Sequence, residues 1–180
     1  MKRLFFYLTI VTVTVLIFAG CKKNYTVSND VELYFQMDYL NYAWGYQHSG
    51  YIIKGNGEVL TYDNPLKWNF PDSNFILTAD QAAENLAMCR PAGIAIPVNE
   101  LAKYTSHISN IASSKVSAPR NVAADAGSTQ FICYEVSSQE KNYKGYLIKM
   151  EGDFTCENLN FFSKKVVSWM KEINSSLHRN

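Results

Sequence analysis

The densest run of side chains able to hold a ligand is Asn41-Tyr-Ala-Trp-Gly-Tyr-Gln-His-Ser-Gly-Tyr51. It sets the rings of Tyr42, Trp44 and Tyr46 beside the hydrogen-bonding groups of Gln47, His48 and Ser49. Rings that stack next to groups that donate and accept are what grip a sugar or a peptide. The competing reading is a strand crossing that buries Trp44 and bends at Gly45 and Gly50. Catalysis has less to work with. A cysteine nucleophile needs Cys89 or Cys133 against His48 or His107, with a third group orienting the base. Nothing in the local sequence brings these together. No Gly-x-Ser-x-Gly elbow and no His-Glu-x-x-His occurs. The three histidines are scattered and no Cys-x-x-Cys is present, so a zinc site has no support. Glu151, Asp153 and Glu157 offer oxygens to calcium, but without the ligand order of an EF-hand loop. Acidic residues at a helix start explain them more simply. No metal and no cofactor is expected, and the pattern argues against an enzyme.

The elements that must position these groups follow from periodicity. Residues 31–37 alternate, with Val31, Leu33, Phe35 and Met37 on one side and Glu32, Tyr34 and Gln36 on the other, as a half-buried strand does. Residues 51–62, YIIKGNGEVLTY, read as a hairpin with a two-residue turn at Asn56-Gly57. That turn pairs Ile53 with Leu60 and Tyr51 with Tyr62 on one face, and Ile52 with Thr61 on the other. Residues 63–75 carry two prolines and read as loop. Thr78 and Gln81 form a capping box for a short helix that runs to about Arg90, with Ala82, Ala83, Leu86 and Ala87 inward and Pro91 ending it. A second helix opens near residues 97–99 with Val98, Leu101, Thr105, Ile108 and Ile111 on one face. Residues 113–128 are small, polar and aperiodic, as long functional loops are.

Two more strands follow. In residues 129–136, Ile132, Tyr134 and Val136 share one face, with Phe131 and Cys133 on the other. In residues 143–150, Tyr146, Ile148 and Met150 fall together. Residues 158–177 close the chain as an amphipathic helix, with Leu159, Phe162, Val166, Trp169, Ile173 and Leu177 inward. The order β-ββ-α-α-ββ-α, without βαβ alternation, predicts an α+β fold: an antiparallel sheet of about five strands with about three helices packed on one face.

Hydrophobic residues at 47% and charged residues at 18% describe a globular chain. The formal net charge of +1 gives no clustered basic field, which argues against nucleic acid as a partner. Tyrosine is plentiful, at 12 residues. That suits a wet recognition surface, and it equally suits a β-rich domain that uses aromatics as sheet residues.

The N-terminus carries an address. Lys2 and Arg3 precede an uncharged apolar run over residues 4–19, closed by small residues and a cysteine. That is the three-part layout of a secretory signal peptide, and the run is shorter than the roughly 20 apolar residues of a membrane span. Its end, Phe18-Ala19-Gly20-Cys21, resembles the lipobox of bacterial lipoproteins. Ala19 and Gly20 fit that pattern, while Phe18 stands where Leu or another aliphatic residue is usual. The resemblance implies cleavage before Cys21, a thioether-linked diacylglycerol on its sulfur, an acylated amine and a lipid-anchored protein of the cell envelope. Two or more acyl chains hold a soluble domain stably at a membrane. Lys22 is unlike the aspartate that marks inner-membrane retention, which points to the outer membrane.

Residues 1–20 are thus expected as signal peptide, 21–30 as a lipid-anchored tether and 31–180 as one globular domain. Loss of Lys2 and Arg3 leaves fifteen basic against sixteen acidic residues, a net charge of −1. With Cys21 on lipid, three of the four cysteines remain. They allow one internal disulfide at most, for which Cys133 with Cys156 is the pair of choice; three buried thiols are the alternative. The expected function is a non-catalytic binding module for a protein or glycan, using Tyr42, Trp44, Tyr46, Gln47 and His48, the 68–70 loop or the 113–128 loop. A structural or accessory lipoprotein of an envelope complex is the other reading.

Overall fold

The computed structural model describes residues 27–137 and 141–179. Cys21, the lipobox and the apolar run lie outside the described residues. The fold is α+β. Nine strands form the sheet: β1 (Phe35–Asn41), β2 (Gln47–Ile53), β3 (Glu58–Asp63), β4 (Ile76–Leu77), β5 (Arg90–Ala95), β6 (Arg120–Asn121), β7 (Ser128–Val136), β8 (Tyr143–Gly152) and β9 (Phe154–Glu157). Their order across the sheet is β5-β3-β2-β1-β7-β8-β9-β6, and β4 adds to β8. All of these pairings are antiparallel. The helices are α1 (Ala79–Ala87), α2 (Val98–Thr105), α3 (Ile108–Ala112) and α4 (Ser163–Leu177).

The expectation of five strands falls short because the missed strands are short or irregular. β5 contains Pro91 and Gly93 and sits at the sheet edge, where a missing N–H is tolerated. β4 and β6 have two residues each, too few for alternation to register. β6 lies inside the 113–128 stretch and pairs with β9. β9 occupies residues expected to lead into the last helix. Asp153 therefore precedes a strand and Glu157 ends it, neither at a helix start, and Asp153 accepts a hydrogen bond from the Ala126 amide at 2.8 Å. The start of α4 is instead set by asparagines: Asn158 Oδ1 accepts from the Asn160 amide, and Asn160 Oδ1 from the Phe162 amide.

The hairpin register also differs. Ile53 pairs with Val59, Ile52 with Leu60, Tyr51 with Thr61 and Gly50 with Tyr62. The loop has three residues rather than two. The Gly57 amide donates to the Lys54 carbonyl, the Lys54 amide donates to Glu58, and Gly57 alone of the turn takes positive φ, at +85°. That is a type I turn closed by a left-handed glycine, the common three-residue hairpin. A one-residue slip moves every side chain of one strand to the other face. Tyr62 consequently faces away from Tyr51.

Two clusters fill the two faces of the sheet. The larger takes Phe35, Met37, Tyr51, Ile53, Val59, Phe131, Cys133 and Ile148 and seals them under α2, α3 and α4. Trp169 of α4 stacks on Tyr104 with centroids 4.0 Å apart and meets Phe35 edge-on. The smaller cluster holds Leu33, Ile52, Tyr62, Ile132 and Tyr134 under Leu77 of β4 and Ala82 of α1. Helices thus cover both faces, not one. Inside α1 the capping box of Thr78 and Gln81 forms as its sequence requires. Its second buried position is Asn85, however, while Ala83 and Ala87 are exposed. Ile132, Tyr134 and Val136 do share a face opposite Phe131 and Cys133. A bulge opposite the Phe131–Ile132 step breaks the alternation of β8, so Met150 leaves the side of Tyr146 and Ile148.

Cys133 and Cys156 are not joined: both are free and buried, and Cys89 is free as well. Among the described residues no helix is long and apolar enough to cross a membrane.

Candidate functional site

β1 and β2 are joined over the top of the sheet by residues 42–46. Buried Asn41 fixes the base of this connection. Its Oδ1 accepts from the Ala43 amide at 2.8 Å, and its Nδ2 donates to the Tyr39 hydroxyl and the Asp125 carbonyl. Gly45 turns the chain at φ +97°. The result projects the rings outward. Trp44 is 78% exposed, Tyr42 65% and Tyr46 46%, and Gln47 is exposed beside them. The strand-crossing reading that buries Trp44 is therefore set aside. Tyr42 and Tyr46 lie 5.6 Å apart, centroid to centroid.

His48 behaves in the opposite way. It is fully buried, ringed by Tyr46, Tyr62, Trp68 and Phe70 at 5.1–5.9 Å. Its Nε2 is 2.8 Å from Asp38 Oδ1 and its Nδ1 is 3.0 Å from the Tyr46 hydroxyl. One neutral tautomer satisfies both nitrogens, with Nε2–H donating to the carboxylate and Nδ1 accepting from Tyr46. Asp38 Oδ1 also accepts from the Tyr62 hydroxyl and from Gln36 Nε2. Tyr134 donates to Gln36 Oε1 at 2.7 Å. Gly50, opposite Tyr62, leaves the space through which that hydroxyl reaches β1; a Cβ there would strike the Met37 carbonyl and the Tyr62 ring. Burial, with the Asp38 charge added, pushes the Tyr62 phenol well above its ordinary range. Burial does the same to Tyr134. Both remain hydrogen-bond donors at any physiological pH.

Beside this network is a cavity of about 210 Å³ between the sheet and the 68–75 loop. Its walls are Trp68, Phe70 and Phe75, and its polar lining includes Asp38, Asp72 and Gln130. The loop is pinned at both ends. Asn85 of α1 exchanges hydrogen bonds with the Asn69 backbone, accepting from its amide and donating to its carbonyl, each at 2.8 Å. The Gly145 amide of β8 donates to the Phe75 carbonyl at 2.7 Å. Asp72 closes the turn between, accepting from the amides of Asn74 and Ile76.

No protein-family model, no curated protein and no solved structure matches this chain. Its chemistry must be read from its own residues.

Of the five residues singled out in the sequence, the structure brings Tyr42, Trp44, Tyr46 and Gln47 to one exposed tip and places His48 beneath it. The 68–70 loop joins the same region through Trp68 and Phe70, which touch His48. The 113–128 loop also returns to the base of this tip, where the Asp125 carbonyl accepts from Asn41 Nδ2 at 3.2 Å. Asp38, Gln36, Phe75 and Gln130 were not anticipated. The signal for two of them was present: Gln36 and Asp38 continue the polar side of the alternation that begins at Glu32.

Burial pushes the Cys89 thiol up to about 11, and it donates to the Asn85 carbonyl; burial pushes Cys133 further. His107 stacks on Phe162 at 4.0 Å. Glu151 is held by Lys149 and Lys171, each at 2.7 Å.

Proposed function

We propose that this chain is a lipid-anchored envelope protein, held through Cys21, whose domain is a non-catalytic binding module for a protein or glycan. The observation that carries the binding reading is the β1–β2 tip: three large rings held out to solvent on a base made rigid by buried Asn41 and His48. Ring faces beside Gln47 and the tyrosine hydroxyls suit a partner that stacks and hydrogen-bonds at once. A base that is already ordered lowers the cost of holding the rings in place on binding.

The test uses co-sedimentation of the purified chain with two envelope fractions, insoluble glycan and detergent-extracted protein. Trp44→Ala is expected to unfold at the wild-type midpoint and to lose sedimentation with one of the two. The fraction that is lost names the partner class. Equal sedimentation of wild type and variant with both fractions removes the tip as the binding surface. The anchor is tested separately: Cys21→Ala is expected to lose incorporation of labelled palmitate and to leave the membrane fraction. A variant that stays membrane-bound and uncut makes residues 4–19 a plain anchor.

A second reading, an accessory protein of an envelope complex, is favoured by a different patch. Leu159 and Phe161 stand 63% and 88% exposed just before α4. Apolar side chains held out this far mark contact surfaces when they are grouped. Crosslinking from position 161 to a defined envelope assembly, in place of position 44, would favour it.

A further inference from the structure

The cavity under the 68–75 loop has its own ligand chemistry. Its lining contains two carboxylates, Asp38 and Asp72, and three aromatic rings, Trp68, Phe70 and Phe75; no lysine or arginine lines it among the described residues. Asp38 is 7% exposed, yet it lines the cavity. Its Oδ1 takes all three of its hydrogen bonds, from His48, Tyr62 and Gln36, and no donor among the described residues reaches Oδ2. The same division holds at Asp72, where Oδ1 accepts two backbone amides. Among the described residues no lysine or arginine pairs with Asp38; its one ionisable nitrogen partner is His48 Nε2, at 2.8 Å. A buried carboxylate in that position is costly unless a cation meets it.

Each remaining feature narrows the cation. The walls carry the rings of Trp68, Phe70 and Phe75, and aromatic faces attract an organic ammonium through their quadrupoles while offering a metal ion no ligands. Among the described residues no group of three or more His, Cys, Asp or Glu side chains is placed to hold a metal ion. The volume, about 210 Å³, lies below the 300–1,000 Å³ range of sites for drug-sized ligands, so a single short chain fits and an oligosaccharide does not. Phe70 and Phe75 are each nearly half exposed, which puts them at the mouth and leaves an entry path.

We infer that this cavity binds a primary alkylammonium group, with the nitrogen at Asp38 and the methylenes between Trp68, Phe70 and Phe75. The group belongs either to a free amine or to a lysine side chain of a partner protein. The site adjoins the base of the exposed tip through His48, but its test needs no envelope material, so the two readings are tested separately.

Isothermal titration of the full chain in detergent distinguishes the sources. The probes are n-butylammonium, Nα-acetyl-lysine N-methylamide, n-pentanol and methyl glucoside. Binding of the first two, without measurable binding of the two neutral probes, is the expected result. Tighter binding of the lysine amide points to a protein partner, and tighter binding of butylammonium to a free amine. Binding of methyl glucoside or pentanol as strong as that of either ammonium overturns the inference, as does the absence of binding by both ammonium probes. Asp38→Asn is expected to weaken ammonium binding at least tenfold. Because Asp38 also serves the buried network, Asp72→Asn provides a second variant: it keeps the turn acceptor, removes the charge and is expected to weaken binding several-fold. Trp68→Leu keeps an apolar wall and removes the ring, with a similar loss expected. Ammonium affinity unchanged in all three variants places the ammonium elsewhere and overturns the assignment.

Discussion

The two faces of the sheet are built on different principles. The helix-covered face is apolar and tightly enclosed: Phe35, Tyr51, Ile53, Val59 and Ile148 are fully buried against α2, α3 and α4. A buried polar tie crosses the layers at the Tyr51 hydroxyl, which donates to the Met170 carbonyl at 2.6 Å. The opposite face carries Gln36, Asp38, His48, Tyr62 and Tyr134 in a mutual hydrogen-bond network, covered by a short helix and an irregular loop that leaves a cavity. Burying apolar surface stabilises almost any arrangement that excludes water, whereas buried polar groups stabilise only the one arrangement in which each finds its partner. The first face holds the fold together. The second gives up stability for a fixed arrangement of charge and rings.

The comparison is broken most severely on the apolar side. Trp169→Ala removes the stack on Tyr104, the edge contact with Phe35 and the donor to Glu100 at 2.7 Å. A loss of about 3–5 kcal/mol in urea unfolding is expected, the range for a large aromatic truncated in a core. The polar face should yield less. Asp38→Ala strips His48, Tyr62 and Gln36 of an acceptor, but the adjacent cavity admits water to them, so about 2 kcal/mol is expected. A double-mutant cycle sharpens the contrast: Tyr62→Phe with Asp38→Asn should couple by about 1 kcal/mol, while Tyr51→Phe with Asp38→Asn should add within about 0.5 kcal/mol. Coupling of Tyr51 as large as that of Tyr62 would mean the faces are not independent.

The smallest effect is electrostatic. Burial raises the Glu151 carboxyl, but the hydrogen bonds and charges of Lys149 and Lys171 outweigh it and hold the group below the ordinary carboxylate range. A depressed folded value stabilises the protein above the unfolded one, and that contribution disappears as pH falls through the folded value. Glu151 is partly exposed, so the contribution is under about 1 kcal/mol. The stability gap between wild type and Glu151→Gln should therefore be largest at neutral pH and close under acid, as urea midpoints at a series of pH values would show. A gap that widens under acid would reverse the sign of the argument.

Much of the local structure was legible in the chain. The Thr78 capping box, the faces of β7 and the apolar stripe of α4 from Val166 to Ile173 all follow from patterns within a few residues, because caps and periodicity are local properties. The turn at Gly57 was recognised, but its length was not. Two- and three-residue loops share the Asn-Gly signature, and the difference moved Tyr62 to the face of His48 and Asp38. β4, β5 and β6 were invisible because each is a strand only by virtue of the strand it pairs with. Most of the candidate site was invisible for the same kind of reason.

By itself, the sequence determined the aromatic run at Tyr42, Trp44 and Tyr46, the α+β class and the resemblance of Phe18-Ala19-Gly20-Cys21 to a lipobox. Each is read from neighbours along the chain. Only the tertiary structure decided that Trp44 stands in solvent while His48, four residues on, is sealed beneath it. Only the tertiary structure brought Asp38 to Trp68, Asp72 and Gln130. The type of a side chain is fixed by the sequence, but its burial and its partners depend on which distant strands and loops close over it. At this site the contacts that close the network come from residues about 10 to 100 positions away.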